Sequence, residues 1–406
     1  MSILELLKIN KTAEPPFEYN FIYNLPEKEY PEYLKKLFKY KTKEELPLKR
    51  EKGRTVIDKS RCRTFNQKIQ WLKLYDAAPL KKLCTDKADV RDYVKEKIGA
   101  EYLKPALQII TKDKLYIYSH RETCNEPEKT ALDFSHSFEM TRCCHSEPAE
   151  SRRKNPEPIN INNYSHSAER SSEESQTKRD SSASKCCLPQ TGEMKTFNYP
   201  IECESLFDLI DFDSLPDKFV MKCTHGCKWH YIIKDKNKIL ADKQLYYKIR
   251  QKMTGWLEQK FCFFEGFEMQ YKDLEPKIII EPLMRDNGRH NPAEINVYCF
   301  NGIPKLVMKQ CIYDELSYCC YDEKFNVIEP IFTGVEDTYI CQNADENIKI
   351  AFELSKKLSR DFKFVRADWM IYQNKIYFGE LTFTPYSGFT HLSVDWNKKL
   401  GSWLEI

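Results

Sequence analysis

Two carboxylates, Asp368 and Glu380, stand twelve residues apart in the segment 366–385. Runs of aromatic and β-branched residues flank the polar centre Gln373-Asn374-Lys375, a pattern that predicts a β-hairpin. If the loop consists of those three residues, Asp368 lies opposite Glu380 on one face. Neighbours across a hairpin are about 5 Å apart, so the two charges repel unless a cation lies between them. Mg²⁺ is usually held by one or two carboxylates and substrate phosphates, so the spacing predicts a magnesium site.

The predicted register also fixes which side chains accompany the carboxylates. Arg366 lies opposite Thr382 on the same face, because side chains alternate between the faces of a strand. Met370 and Phe378 extend this face toward the turn. The other face is almost wholly apolar: Ala367, Trp369, Ile371, Tyr377, Gly379, Leu381 and Phe383. A two-residue turn would separate the carboxylates, and the hairpin would then carry an ordinary charged outer face.

The order R-x-D, hairpin, G-E-L-T-F-T-P resembles the metal-binding hairpin of ATP-grasp enzymes. More narrowly, it resembles the TupA-like ATP-grasp family, which is named for teichuronopeptide synthesis and often labelled a polysaccharide-biosynthesis glycosyltransferase. The resemblance implies that Asp368 and Glu380 bind Mg²⁺ and that Arg366 contacts the reacting group. ATP-grasp enzymes generally have Asn two residues after the Glu. Here Thr382, the usual residue in the narrower family, would be a neutral oxygen ligand or bind through water.

Composition limits the classes of protein that the chain can represent. Its 406 residues are 41% hydrophobic and 13% aromatic, which is typical of a globular protein. A net charge of +3 gives no case for a nucleic-acid partner. No apolar run approaches the roughly 20 residues that span a bilayer, and the N-terminus lacks a signal-peptide core. Sixteen cysteines without a signal peptide predict reduced thiols and a cytoplasmic location.

Three regions are expected from composition and from the family pattern. Residues 1–85 form a helical N-terminal region, and residues 86–118 together with 200–406 form the ATP-grasp domain. Residues 119–199 are rich in Ser, Glu, Arg, Asn and Pro and poor in aliphatics, which is the composition of disorder. We interpret them as a low-complexity insertion, since a compact domain does not normally need so long a structureless loop.

A basic cluster lies in the N-terminal region: Lys49, Arg50, Lys52 and Arg54. Its simplest interpretation is a solvated surface. The alternative is peripheral contact with an anionic membrane surface or with membrane-bound polysaccharide machinery.

Two amphipathic helices precede the insertion. In TFNQKIQWLKLYD, Thr64 and Gln67 have the spacing of a capping box. In DKADVRDYVKEKIG, Asp86 caps the second helix and Gly99 ends it. Both blocks resemble the opening of the TupA-like family, and by that resemblance Lys87 is the first ATP-grasp lysine, which reaches the nucleotide phosphates. The alternative for Lys87 is an exposed lysine in the first turn of a helix.

A second phosphate-binding block is expected after the insertion. The resemblance implies that Lys222, at the end of a strand over 218–222, donates to the α- and β-phosphates. It also implies that the loop with His225 and Gly226 covers the triphosphate with backbone N–H groups. The family's second glycine is missing, and Cys227-Lys228 stand there instead. The alternative is a charged hairpin turn.

The strand predicted over 277–284 matches the hinge strand of ATP-grasp enzymes. The resemblance implies that Glu281 accepts from the adenine amino group and that Met284 supplies a backbone N–H to the adenine edge. Pro282 keeps only its carbonyl acceptor. The alternative is a core strand with a glutamate at its edge.

Asn301-Gly302, between two alternating strands, is the strongest turn signal in the chain. The family pattern before this turn is D-Y-K, whereas this chain has Glu294, Ile295 and Asn296. The acid is retained in kind, and the resemblance implies that Glu294 meets the ribose hydroxyls. The lysine is lost.

The sequence therefore predicts an α+β ATP-grasp fold, with ATP and Mg²⁺ held between two antiparallel sheets. The resemblance implies an ATP-dependent ligase that activates the carboxylate of a saccharide or its precursor as an acyl phosphate, which an amine donor then attacks. Glycosyl transfer is a second hypothesis, and it requires a nucleotide-sugar site. A third is a catalytically weak nucleotide-binding protein, since the glycine loop, the lost lysine and the insertion depart from the family pattern.

Overall fold

Two antiparallel sheets form the centre of the protein. The structure, a computed structural model, describes residues 24–112, 114–118, 194–198, 205–264, 266–285, 292–312, 316–333 and 343–406. These residues fall within one compact unit of the chain. The predicted insertion, residues 119–199, lies outside the described residues except for residues 194–198.

The helices of the described residues are α1 (Tyr30–Thr42), α2 (Phe65–Tyr75), α3 (Pro79–Thr85), α4 (Val90–Ile98), α5 (Lys236–Ala241), α6 (Lys243–Leu257), α7 (Glu346–Leu358) and α8 (Val394–Trp403). The strands are β1 (Leu48–Glu51), β2 (Arg54–Ile57), β3 (Gln108–Ile110), β4 (Lys114–Tyr118), β5 (Met194–Asn198), β6 (Phe219–Cys223), β7 (His230–Ile233), β8 (Ile278–Pro282), β9 (Ala293–Phe300), β10 (Ile303–Ile312), β11 (Leu316–Asp322), β12 (Val327–Ile328), β13 (Phe364–Tyr372) and β14 (Lys375–Thr382).

Helix α2 begins with the predicted capping box. Thr64 Oγ1 accepts from the Gln67 backbone N–H, and Gln67 Oε1 accepts from the Thr64 backbone N–H. Its apolar stripe, Phe65, Ile69 and Leu72, is buried against the C-terminal part of the chain. The helix thereby packs against the C-terminal sheet, where Phe65 contacts Phe364 of the strand that carries Asp368.

The N-terminal sheet has the strand order β5-β4-β3-β8-β6-β7. Its central strand β8 reads Ile-Ile-Ile-Glu-Pro and is buried along its isoleucines, as predicted for the hinge strand. Helix α6 covers the sheet with Ile249 and Met253, both fully buried, because the two side chains lie four residues apart on one stripe. This sheet carries Lys222 and Glu281 on adjacent strands.

Strand β5 lies inside the range that the sequence predicts as an insertion. It pairs with β4 in antiparallel register, and Tyr118 stands opposite Met194. The N-terminal sheet therefore extends past the predicted boundary at residue 200, whereas β4 ends at residue 118, the other predicted boundary.

The C-terminal sheet has the strand order β12-β11-β10-β9-β13-β14. Asn301 and Gly302 form the predicted two-residue turn between β9 and β10, with positive φ angles of 49° and 78°. Helix α7 covers one face of this sheet, where Trp369 Nε1 donates to Ser355 Oγ at 2.8 Å. The opposite face carries an apolar cluster under helices α2 and α8 and, beside it, the polar side chains of the hairpin.

The carboxylate hairpin has the predicted pairing but not the predicted turn. Tyr372 pairs with Lys375, so the turn contains two residues, Gln373 and Asn374, and the three-residue loop is wrong. A β-bulge restores the register, because Asp368 pairs with Glu380 whereas Trp369 pairs with Phe378. Gly379 is the extra residue. The pairings of Asp368 with Glu380 and of Arg366 with Thr382 are confirmed.

The bulge also corrects the predicted faces near the turn. Met370 pairs with Tyr377, so Tyr377 does not belong to the apolar face. Phe378 is buried and packs against Trp369 in the core, with ring centroids 6.0 Å apart. The two predictions fail for one reason, because one additional residue in β14 reverses the alternation between Gly379 and the turn.

Candidate active site

Arg366, Asp368, Glu380 and Thr382 lie together on the polar face of the C-terminal sheet. Arg366 makes a bidentate ion pair, in which Nε donates to Asp368 Oδ1 and Nη2 donates to Asp368 Oδ2, both at 2.7 Å. Thr382 Oγ1 lies 2.8 Å from Asp368 Oδ2 and also 2.8 Å from Glu380 Oε1. The hairpin register thus brings all four predicted residues into one cluster.

The Thr382 hydroxyl cannot satisfy both carboxylates of this cluster. A hydroxyl carries one proton, so Thr382 donates to only one of the two carboxylates at a time. Burial raises the pKa of Asp368, although the charge of Arg366 acts in the opposite direction. Burial also acts to raise the pKa of Glu380, but Lys87 and the hydrogen bond from Thr382 outweigh it and lower the pKa. A proton or a cation would offset the remaining repulsion.

The donor set fits a magnesium ion. Asp368, Glu380 and Thr382 offer only oxygen atoms, which Mg²⁺ prefers, and substrate phosphates commonly supply further ligands. Across the residues that the structure describes, no three His, Cys, Asp or Glu side chains converge as a metal site. The cluster therefore suits a cation that a phosphate-bearing ligand helps to hold, and not an all-protein metal cage.

A polar chain connects Glu294 to this cluster. Gln310 Nε2 donates to Glu294 Oε2 at 2.9 Å and to Asn296 Oδ1 at 3.0 Å, and Asn296 Nδ2 donates to Asp368 Oδ1 at 2.8 Å. Burial raises the pKa of Glu294, and the charge of Asp368 adds to this effect. Asn296 stands where the family pattern has lysine, so a neutral amide here orients the carboxylate of Asp368.

Lys87 lies in a turn that is hydrogen-bonded to the loop between β6 and β7, residues 224–229. Asp86 is fully buried, and its Oδ1 accepts from the N–H groups of Ala88 and Asp89. Its Oδ2 accepts from Thr224 Oγ1 at 2.7 Å, and Lys87 Nζ donates to the Gly226 carbonyl at 2.5 Å. Asp86 therefore caps the turn before α4, but the prediction that it caps the helix is wrong, because the helix begins at Val90 with Asp89 as its N-cap. Lys87 is held beside the loop and within electrostatic reach of Glu380.

Lys222 and Lys104 share the carboxylate of Glu281. Lys222 Nζ donates to Glu281 Oε2 at 2.5 Å, and Lys104 Nζ lies 3.5 Å from the same oxygen. Burial acts to raise the pKa of Glu281, but the two lysines outweigh it and hold the pKa at about 2. Burial lowers the pKa of Lys104 to about 8, against the attraction of Glu281.

Lys104 was not predicted as a site residue from the sequence. It follows Leu103, whose backbone forms a bridge with Phe378 in strand β14. This bridge fixes Lys104 near the carboxylate hairpin, where the charge of Glu380 acts to raise the pKa of Lys104. The motif Glu-Tyr-Leu-Lys-Pro carried no periodic signal that would have singled out this lysine.

His225 and Gly226 have different surroundings within the loop between β6 and β7. His225 is buried, its Nε2 lies 3.2 Å from the Trp256 carbonyl oxygen, and its ring packs against Trp229. Gly226 must be glycine, because a Cβ there would lie 2.3 Å from Trp229. Contact between this loop and a phosphate would therefore come from the backbone and from the exposed Lys228. Met284 follows β8 and is half-buried.

These features together define the class of protein. A lysine-bearing antiparallel sheet and a carboxylate hairpin on a second antiparallel sheet constitute an ATP-grasp fold. The model of the TupA-like ATP-grasp family matches residues 160–404, which is more than half of the chain. The protein belongs to that family. The match begins inside the range predicted as an insertion. No curated protein sequence matches the chain.

Solved ATP-grasp structures resemble parts of the chain at low identity. A D-alanine–D-alanine ligase from Bacillus anthracis is 15% identical, with 44% of this chain and 46% of that chain covered and a TM-score of 0.23. The D-cycloserine synthetase DcsG is 16% identical, with 48% and 57% covered and a TM-score of 0.27. The ATP-grasp ligase PsnB is 9% identical, with 46% and 45% covered and a TM-score of 0.23. The chain thus spans about half the length of the structures it matches.

Helices long and apolar enough to cross a bilayer do not occur in the part of the chain that the structure describes.

Proposed function

We propose that the protein is an ATP- and Mg²⁺-dependent ligase that joins a carboxylate to an amine. The observation that carries this proposal is the convergence of a carboxylate pair and a half-buried arginine with three lysines from other elements. The charges of Lys87 and Lys104 both act to lower the pKa of Glu380. Lys222 and Lys104 bind the same carboxylate, that of Glu281. Positive groups opposite an acidic, cation-binding face are what a nucleotide triphosphate requires.

The proposed roles follow from the residues' positions. Lys87 and Lys222 bind phosphate oxygens, and the backbone around Gly226 covers them. Glu281 and Met284 contact the adenine edge, and Glu294 the ribose. When bound at Asp368, Glu380 and Thr382, Mg²⁺ offsets the charge of the phosphates.

Arg366 is proposed to hold the substrate carboxylate for reaction. A carboxylate oxygen attacks the γ-phosphorus, the bond to the β-phosphate oxygen breaks, and ADP leaves. The amine then attacks the acyl carbon, phosphate leaves, and the amine nitrogen loses a proton. A guanidinium suits this task, because it stays protonated and offers several fixed donors.

The proposed substrates are a carboxylate-bearing saccharide, or its precursor, and an amine donor. The name of the TupA-like family supports a role in cell-surface polysaccharide synthesis of a teichuronopeptide-like or capsular kind. The proposed location is the cytoplasm. The basic hairpin β1–β2 exposes Lys49, Arg50, Lys52 and Arg54, which suits peripheral contact with an anionic membrane surface near polysaccharide machinery.

The test is ADP release from ATP and Mg²⁺ in the presence of pooled uronic acids and amino acids. We expect release that requires both an acid and an amine, together with an amide product. Arg366→Lys should lose most of this activity, because lysine cannot reproduce the planar fork. Release that ignores the acid and the amine would contradict the proposal.

Glycosyl transfer is the second candidate, and the label often carried by the family supports it. Asp211-Phe212-Asp213 has the D-x-D spacing that such enzymes use for a metal-bound nucleotide sugar. Here Asp211 Oδ1 accepts from the N–H groups of Asp213 and Ser214, which accounts for the motif as a turn. UDP- and GDP-sugars in the same assay separate the two reactions. ATP binding without any turnover would instead support a catalytically weak nucleotide-binding protein.

A further inference from the structure

The loop after the carboxylate hairpin has an unusual backbone. Tyr386 and Ser387 adopt left-handed conformations, with φ angles of 51° and 54°, and Gly388 follows at 70°. Consecutive non-glycine residues in this region are strained, and such strain persists only where the surroundings impose it. The loop begins two residues after Thr382, so its position is tied to the carboxylate cluster.

A buried lysine imposes this conformation from helix α2. Lys73 is 1% exposed, and its Nζ donates to the Ser387 carbonyl at 2.9 Å and to Ser387 Oγ at 3.0 Å. Gln70, one turn earlier, donates to the carbonyls of Ser387 at 3.2 Å and Gly388 at 2.9 Å. A Cβ at Gly388 would lie 2.5 Å from Gln70 Nε2, so the contact is close. A buried ammonium that binds backbone carbonyls fixes those carbonyls firmly.

The other end of the loop is also held. Thr384 is buried, its Oγ1 donates to Glu268 Oε2 at 2.5 Å, and it accepts from Gln270 Nε2 at 2.7 Å. With both ends fixed, the intervening Tyr386 has little freedom to move.

The loop places the ring of Tyr386 beside Arg366. Its guanidinium carbon is 6.0 Å from the ring centroid of Tyr386 and 5.9 Å from that of Tyr298. Asp368 accepts from Nε and Nη2 of Arg366, and Nη2 also lies 3.5 Å from Thr382 Oγ1, whereas a guanidinium has five N–H donors. Aromatic walls beside an arginine combine apolar surface with donors for an anion. This chemistry fits a ring-shaped acid, such as a sugar carboxylate.

We propose that Lys73 is a positioning residue of the substrate site. Together with Gln70 it holds the strained loop, residues 384–388, so that Tyr386 forms one wall of a subsite for a sugar carboxylate beside Arg366. This inference rests on the proposed function for the identity of the site, and it assigns to the N-terminal helix α2 a role in acid recognition.

The experiment compares Lys73→Met with Lys81→Met in the full chain. Lys81 is an equally buried lysine, 3% exposed, which donates to Asp76 and not to the loop. Hydrogen exchange of residues 384–388 is measured without ligand. Calorimetry measures binding of Mg-ADP and then of D-glucuronate, with D-glucose as the uncharged comparison.

We expect Lys73→Met to accelerate exchange in the loop by about tenfold or more, whereas Lys81→Met leaves the loop as in wild type. Glucuronate binding should weaken about tenfold in Lys73→Met with Mg-ADP binding unchanged. Tyr386→Leu should weaken glucuronate binding and leave Mg-ADP binding unchanged.

Unchanged loop exchange in Lys73→Met would overturn the positioning role. Wild type that binds Mg-ADP but binds glucuronate no better than glucose would overturn the sugar-carboxylate subsite. A failure to bind Mg-ADP would contradict the proposed function instead, and loop exchange would still decide the role of Lys73, because that measurement needs no ligand.

Discussion

Glu281 gives the clearest pH signature of any single residue. Its pKa of about 2 lies below the ordinary value, because Lys104 and Lys222 outweigh the effect of burial. A carboxyl with a lowered folded-state pKa stabilises the fold above its unfolded-state pKa of about 4.3. That contribution is lost as the pH falls toward 2.

We therefore expect Glu281→Gln to lower the free energy of unfolding by about 3 kcal/mol at neutral pH. The difference from wild type should shrink as the pH falls from about 4 to 2. Urea unfolding across this range measures it, with Glu353→Gln, an exposed residue of helix α7, as control. A difference that is constant with pH would contradict the ion pairs described here.

Substitution of each carboxylate of the hairpin is predicted to change the stability of the protein differently, although both carboxylates serve one step. Asp368→Asn leaves the half-buried Arg366 without its bidentate partner, which should cost about 3 kcal/mol. Glu380→Gln keeps the contact with Thr382 and removes a charge that repels Asp368. Its melting temperature without metal should therefore be close to that of wild type.

Both variants should abolish Mg²⁺-dependent ATP turnover, and the double variant should be little worse than either, because effects within one catalytic unit are not additive. The measurement is ATP turnover against Mg²⁺ concentration, with thermal melting in parallel. Near-normal turnover and Mg²⁺ affinity in Glu380→Gln would remove the main support for the shared site.

At the scale of elements, the hairpin shows what local sequence can and cannot predict. Alternation of apolar residues located both strands, but it did not reveal that Gln373 takes a positive φ of 48° beside Asn374. The resulting two-residue turn should have separated the carboxylates, and the bulge at Gly379 brought them together again. An isolated glycine within a strand is a recognised signal of a bulge. Using it would have given the correct faces for Tyr377 and Phe378.

Gly379 is predicted to be essential to the site. A Cβ there would lie 2.7 Å from the Asp368 carbonyl oxygen, so Gly379→Ala forces the strands apart. We expect a loss of about 1–3 kcal/mol in stability and a larger proportional loss of Mg²⁺ affinity. Gly255→Ala, in helix α6, is the matched control, because the added Cβ would meet no neighbouring side chain or strand within 4 Å. This control should stabilise the protein by about 1 kcal/mol. Equal behaviour of the two variants would refute the structural role of the bulge.

At the scale of the whole molecule, the site is assembled from residues far apart in sequence. Lys87, Lys104, Lys222 and Glu281 come from the N-terminal sheet and its approaches, and the hairpin comes from the other sheet. Family motifs located most of these residues, because each motif occupies a recognisable element. The position of Lys104 and the hydrogen bonds from Lys73 to Ser387 were not predictable from the sequence. Both depend on how irregular segments meet helices and strands in three dimensions.

The connection between β4 and β5 allows the predicted insertion to be tested directly. Tyr118 stands opposite Met194 in an antiparallel pair, so the chain can pass between them through a short turn. We expect replacement of residues 119–193 by Asn-Gly to leave thermal stability and the response to Mg-ATP at wild-type levels, because a shorter connection lowers the entropy cost of closing the hairpin.

Removal of residues 119–198, by contrast, deletes β5 and exposes the backbone edge of β4. This longer deletion should lower the melting temperature and promote aggregation, while the shorter one should not. Thermal melting and light scattering on both variants, each with and without Mg-ATP, make the comparison. A large loss of stability or of the nucleotide response in the shorter deletion would show that residues 119–193 contribute to the fold or to the site, and the proposal that they are dispensable would then be abandoned.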